Sequence, residues 1–354
     1  MREKKSLKIL VLLVVSLFAM ALVVGCFGNG GGNGAGTGDN GETGDYKTSG
    51  TLNAGHVFDT SHPFQTGLEE FGRLVNERTD GRFTVNIHPG AVLGGEVAMV
   101  EQTNAGDLDL VISTTAPIAN FTTAFTELDL PFLFENHDHV YAVLDGEIGQ
   151  GMFDELERTT TGLRGLVYFE NGFRHMTSSV RPINVPADLQ GVVFRTMENP
   201  IHLRTFGPEG FGANTIAMSF GELFIGLQQG VAQAQENPLP AIYTGRLHEV
   251  QSYLAVTYHF YAAAPLIINQ QLWNSLSPDD QAIFQQAALD ARGMQRAAIH
   301  EMEGWILEGV ADYVEITRPD PAPWREAVVP VYDYFIEQGV ISADLIEQIR
   351  ALAN

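Results

Sequence analysis

Apolar and polar positions along residues 51–112 switch between two periods. Residues 52–58 form a short apolar run that breaks at Asp59-Thr60-Ser61-His62-Pro63, which offers capping hydroxyls and a proline suited to a first helical turn. Leu68, Phe71, Leu74 and Val75 recur at helical spacing until Asp80-Gly81 ends the pattern. Phe83, Val85 and Ile87 then alternate as in a strand and stop at Pro89-Gly90. A second helix is predicted over 96–104, closed near Gly106, and a strand through Leu108, Leu110 and Ile112. Strand–helix–strand–helix–strand in that order predicts parallel pairing and an α/β domain.

The alternation is weaker over 163–194, where strands are predicted near 166–169 and 192–195. An apolar helical stretch begins near Glu222 and ends in Gln235-Glu236-Asn237-Pro238. There the proline stops the helix and leaves the Asn237 amide free to donate into a cleft. Ser277-Pro278-Asp279-Asp280 is a strong helix start, and no proline follows until Pro319. Gly293 and Gly304 are places for a kink; unbroken, that helix reaches across two domains. The folded part begins near Thr51, and its roughly 300 residues suit two domains better than one core.

What precedes Thr51 has a different character. Arg2, Lys4, Lys5 and Lys8 lead an apolar run over 9–24 that only Ser16 interrupts, followed by Gly25 and Cys26. A basic start, a short apolar stretch and small residues before a cysteine resemble the lipobox of bacterial lipoproteins. That reading, in which residues 1–25 are removed and Cys26 is lipidated, is preferred to an uncleaved anchor because the stretch is short for a membrane span. Cys26 is the chain's only cysteine, so no intramolecular disulfide exists. Residues 28–45 are Gly, Asn, Thr, Asp and Glu with almost nothing apolar, and 26–50 read as a flexible tether.

Charge narrows the partners. The net charge is −23, residues 1–25 carry +3, and a chain starting at Cys26 therefore carries −26. Lys47 is that chain's only lysine. Such acidity argues against nucleic acid and against a basic membrane-binding face. It suits salty surroundings, where self-repulsion is screened.

Candidate chemistry gathers in two stretches. Asn171-Gly172-Phe173-Arg174 precedes Asp188-Leu189-Gln190-Gly191-Val192-Val193-Phe194-Arg195. An arginine at the end of an interior strand is costly to bury unless an anion meets it, and its fork matches a carboxylate. From the residues alone, a structural role for Arg195, paired with Glu198 or Glu222, is the preferred reading. His137-Asp138-His139 lacks the i, i+4 spacing of a metal pair and reads as a helix start, so no metal is expected. Tyr253, Tyr258, Phe260 and Tyr261 read as packing. No Gly-x-Ser-x-Gly, His-Glu-x-x-His, phosphate-cradling glycine loop or reactive cysteine suggests catalysis, and no cofactor is expected.

Taken in order, several pieces resemble the extracytoplasmic solute-binding subunits of tripartite ATP-independent periplasmic (TRAP) transporters, the C4-dicarboxylate-binding-protein-like family. They are His62-Pro63, Thr79-Asp80-Gly81-Arg82, Leu93-Gly94, Leu130-Pro131-Phe132-Leu133-Phe134, Leu144-Asp145-Gly146-Glu147, Asn171-Gly172-Phe173-Arg174, Asp188-Leu189 with Gly191 and Arg195, and Gln235-Glu236-Asn237-Pro238. The resemblance implies a two-lobed, class II-like periplasmic-binding-protein fold with crossing strands and a long helix spanning both lobes. Lobe I would comprise 51–171 plus 262–300, and lobe II 172–261 plus 301–354.

By motif position, Arg195 would clamp the ligand carboxylate, Asn237 would donate to it, and Arg174 would be a second cation or a fixed charge behind it. Glu96 falls where some members hold a polar ligand group, though a plain first-turn acid is the preferred reading. His56, Thr114 and His259 are weaker candidates on strand ends or near the cleft. The chain departs from the family at Val193, often lysine, and at Val231-Ala232-Gln233-Ala234, often Val-Asp-Gly; neither touches Arg195 or Asn237. Thr114 stands where sialic-acid binders favour glutamate. The implied function is capture of a small organic acid outside the cytoplasm and delivery to the transporter's membrane subunits, with no catalysis. A lipid-anchored protein serving a sensor or receptor, or an enzyme acting on a similar acid, are the alternatives.

Overall fold

A computed structural model describes residues 46–353; Cys26, the signal segment and most of the expected tether lie outside the described residues. The strands, in chain order, are β1 (Gly50–Gly55), β2 (Phe83–His88), β3 (Leu110–Ile112), β4 (Leu163–Ser178), β5 (Val193–Thr196), β6 (Asn214–Ala217), β7 (Ala234–Pro238), β8 (Tyr253–Ala255), β9 (Tyr261–Asn269) and β10 (Glu315–Thr317). They join in the order β2-β1-β3-β9-β4-β7-β5-β6, with β8 on β4 and β10 on β8.

The N-terminal pattern gives what its periods predict. β1 pairs in parallel with both β2 and β3. Between them, Pro63–Arg78 is a helix that buries Leu68, Phe71, Leu74 and Val75. Its N-cap, His62, accepts from the Phe64 amide through the imidazole, and Asp80 and Gly81 leave it with positive φ of 52° and 78°. The last part of the expected tether is already attached, since the Lys47 amide donates to the Ser275 carbonyl at 2.7 Å and Gly50 opens β1.

β4 is the element that crosses. Residues 163–173 pair antiparallel with β9, with a register shift between Glu170 and Gly172, and residues 174–178 then pair with β7 and β8. Gly172 sits at this change with φ 109°, a conformation that favours glycine. One 16-residue strand therefore belongs to both halves of the sheet, where the sequence suggested only a short strand near 166–169.

The second crossing element is the helix Pro278–Val310, capped by the Ser277 hydroxyl and unbroken at Gly293 and Gly304. Phe284, Ala287, Ala288 and Ala291 sit in the core built on β1, β3 and β9, whereas Ile306 and Val310 sit in a separate core with Leu223, Leu239 and Leu254. A third core gathers Phe194, Phe206, Phe211, Phe260 and Trp324. One helix thus ties together cores at its two ends, as a two-lobed α/β fold requires. The chain's last helices return to the first core through Val331, Phe335, Ile341, Ile346 and Ile349, whereas the resemblance implies lobe II for all of 301–354. No helix among the described residues is long and apolar enough to cross a membrane.

Candidate functional site

β5 runs between β6 and β7, parallel to both, and carries Arg195 into the interior with 1 % of its surface exposed. Nε donates to the Met218 carbonyl at 2.8 Å, while Nη1 is buried without a hydrogen-bond partner among the described residues. Among those residues no carboxylate forms an ion pair with Arg195. Glu222 instead accepts from the Ser219 hydroxyl at 2.6 Å. Burial lowers the Arg195 pKa to about 10, with Arg174 adding to the effect and Glu236, Glu198 and Glu96 opposing it. An enclosed cation with unused donors is costly until an anion meets it.

Arg174 contrasts with it. Equally buried, it lies on β4 opposite Pro238 of β7, and this register brings the next strand's acid onto its fork. Its Nε and Nη2 donate to the two carboxylate oxygens of Glu236, and Nη2 also reaches the Glu236 carbonyl at 2.8 Å and Asn237 Oδ1 at 3.2 Å. His259 Nε2 stands 3.3 Å and His202 Nδ1 3.8 Å from the same carboxylate. Burial alone would raise the Glu236 pKa, but the Arg174 charge and the groups around it hold it well below the carboxylate range. Arg174 is therefore neutralised from behind, and only its buried Nη1 lacks a partner.

Asn237 requires a correction. The run Gln235-Glu236-Asn237-Pro238 is strand β7, not the end of a helix, and the Asn237 amide is not free. Nδ2 donates to Gln235 Oε1 at 2.6 Å, and Gln235 Nε2 in turn donates to the Thr177 hydroxyl at 2.8 Å. With Oδ1 taken by Arg174, Asn237 retains one amide hydrogen for anything further.

Glu96 opens the helix Glu96–Ala105, as a first-turn acid does, but it is buried and bonded rather than solvated. Its Oε1 accepts from the Thr114 amide at 2.7 Å, the Thr114 hydroxyl at 2.9 Å and the Ser113 hydroxyl at 3.4 Å. Burial raises the Glu96 pKa against those bonds. Thr114 also reaches Met197, just beyond β5, with its hydroxyl 3.7 Å from the sulfur. That contact sets the Glu96–Thr114 pair beside the end of the strand that carries Arg195.

The two weaker histidines serve other neighbours. His259, fully buried, is bracketed by the Thr257 hydroxyl at 2.7 Å and Glu236, so it steadies the acid that holds Arg174. His56 bonds to Gln65 Oε1 at 3.0 Å, and nothing ties it to the arginines. Sequence reasoning missed Glu236 as the partner of Arg174, and His202, which stacks on Phe260 at 4.2 Å and faces Glu236. Glu236 stood inside a quoted motif, but only the β4–β7 register shows which side chain it meets.

Every member of the cluster is less than a tenth exposed. A cavity of about 520 Å³ lies elsewhere, by Glu127, Glu147 and Glu155; with no basic residue in its lining it is ill suited to an anion. A strand and a helix that both pass between cores, together with a buried cation that lacks an acid partner among the described residues, suit the capture of an anion.

Comparison with known proteins agrees. Residues 54–338 match the family model of bacterial extracellular solute-binding proteins, family 7. The chain is 38 % identical over 289 residues to a solute-binding protein of Verminephrobacter eiseniae, covering 80 % of this chain and 84 % of that one. It is 33 % identical over 284 residues to the 2,3-diketo-L-gulonate-binding periplasmic protein YiaO of Escherichia coli, covering 79 % and 85 %. The structure matches that of a TRAP periplasmic solute-binding protein from Polaromonas bound to D-erythronate, with a TM-score of 0.81 and 35 % identity over 85 % of this chain and 98 % of that one. The chain belongs to family 7 of the bacterial extracellular solute-binding proteins and is a TRAP solute-binding protein.

Proposed function

We propose that the protein captures a hydroxylated monocarboxylate of the sugar-acid type, with Arg195 as the carboxylate clamp. The observation that carries this reading is the buried Arg195 fork, which lacks an acid partner while its neighbour Arg174 already has one. Arg174 Nη1 and the remaining Asn237 hydrogen would support the same carboxylate. Across from them Glu96, Thr114 and Ser113 offer an acceptor and hydroxyls. A second carboxylate there would face Glu96 instead of a cation, whereas ligand hydroxyls can donate to it. Relatives that bind diketogulonate and erythronate support the same class.

Because the site residues are buried, ligand entry needs the two halves to part about the crossing segments of β4 and the long helix, with closure excluding water. The loaded protein would hand its ligand to the transporter's membrane subunits without chemical change. The lipobox-like sequence supports a lipid tether at Cys26 on the outer face of the membrane, and acylation lost in C26A would test it.

The functional test is thermal unfolding against D-erythronate, gluconate, galacturonate and succinate in low and high salt. A ligand at about 100 times its dissociation constant adds roughly 2.7 kcal/mol. Shifts with sugar acids and none with succinate are expected; a shift with succinate alone would overturn the assignment of Glu96 to hydroxyls.

A further inference from the structure

Three titratable side chains outside the arginine cluster converge where the crossing elements meet. His137 opens the helix His137–Leu144, Glu170 lies on β4 at its register shift, and His300 stands on the long helix. Their ligand atoms all lie within 4.8 Å of one another. Glu170 is completely buried, with Oε1 2.7 Å from His137 Nδ1 and Oε2 3.4 Å from His300 Nε2. The shorter contact lies off a hydrogen-bonding line, so Glu170 Oε1 and His137 Nδ1 both lack a hydrogen-bond partner among the described residues. The Tyr141 hydroxyl donates to Glu170 Oε2 at 2.5 Å and touches His300 Nε2 at 2.7 Å.

A second acid closes the rim, with Glu303 Oε2 3.5 Å from His137 Nε2. Gly172 makes room for it, because a Cβ there would stand 2.7 Å from Glu303 Oε1. Arg296 lies over the Tyr141 ring at 4.1 Å but is paired with Asp145 at 2.7 Å. His139, next but one to His137 in sequence, faces elsewhere and bonds to the Ile349 carbonyl at 2.7 Å.

We propose that His137, Glu170 and His300 form a binding site for a divalent transition metal of the zinc class. Two imidazoles and one carboxylate are a donor set that zinc takes, leaving a fourth position for water or a rim group. In a tetrahedral site with bonds of about 2.1 Å the ligand atoms stand roughly 3.4 Å apart, so the present spacing needs only small rotamer shifts. The side chains of His137 and His300 are 28 % and 44 % exposed, which gives an ion a way in. The ligands come from three distant parts of the chain, so no spacing motif announces them. Bound metal would pin a helix start, the crossing strand and the long helix together.

The competing arrangement is a bare His137–Glu170 ion pair with no affinity for metal. Titration of the full-length chain with zinc chloride by calorimetry separates the two, and cobalt(II) absorption reports the coordination. One ion per chain is expected, weakened by about 100-fold or more in H300N and in H137N, with intense visible bands for cobalt. H88N, which alters a histidine outside the cluster, should bind as the unaltered chain does. A dissociation constant above about 1 mM, or equal binding by a folded H137N/H300N double variant, would overturn the proposal.

Discussion

Removing the Glu236 carboxylate should destabilise the protein far more than removing an average side chain. Glu236 has no exposed surface and meets Arg174 through both oxygens, with His259 and His202 close behind. In E236A the Arg174 guanidinium would keep only the bonds to the residue 236 carbonyl and Asn237 Oδ1 and would become a second unpaired buried cation beside Arg195. Breaking a buried pair from one side costs about 3–5 kcal/mol. Replacing both partners with apolar residues of similar volume, as in R174M/E236L, should cost much less, because no charge is then stranded. Urea denaturation of wild type, E236A, R174M, E236L and R174M/E236L, read by circular dichroism, gives the coupling directly. A loss below about 1 kcal/mol in E236A, or strictly additive single variants, would refute the claim that Glu236 neutralises Arg174.

Other expectations follow from the same electrostatics. R195M should leave the ligand-free protein as stable or about 1–4 kcal/mol more stable in urea, since the cation has no acid partner; a large loss would mean that Arg195 is structural. Burial pushes the Asp129 carboxyl up to about 7, against the pull of the Thr115 hydroxyl, the Arg174 charge and Asn199. A raised acid contributes most stability below its unfolded value near 4 and loses it as pH rises through 7. Stability relative to D129N should therefore fall by about 3 kcal/mol between pH 4 and 7 in paired melts, and a flat difference would refute the shift. S277A, which removes the cap that accepts from the Asp280 amide at 3.1 Å, should cost about 1 kcal/mol in the same assay.

The N-terminal half of the fold was legible because its periods are clean. Leu68, Phe71, Leu74 and Val75 face one core, and Ser277 starts a helix that runs 33 residues. Ala, Glu and Gln dominate around Gly293 and Gly304, and no Cβ-sized clash or break marks either glycine. The Gln235–Pro238 run was misread because Gln, Glu and Asn disfavour strands and show no alternation of apolar residues. It is a strand because β4 supplies partners on one side, and its polar side chains are satisfied by Arg174 and Thr177 across the pairing. Glu96 was rightly placed in a first turn, but its burial depends on Ser113 and Thr114, 17 and 18 positions away. Arg195 was readable as an interior strand arginine; that its neighbour Arg174 is neutralised and it is not depends on register alone.

Binding of sugar acids to R195A tests the central claim most directly. Calorimetry with whichever acid stabilises the wild type should show no measurable heat in R195A, with the melt confirming that the variant is folded. R195K should also bind poorly, because an ammonium lacks the planar fork. A folded R195A that binds the acid as tightly as wild type would contradict the account.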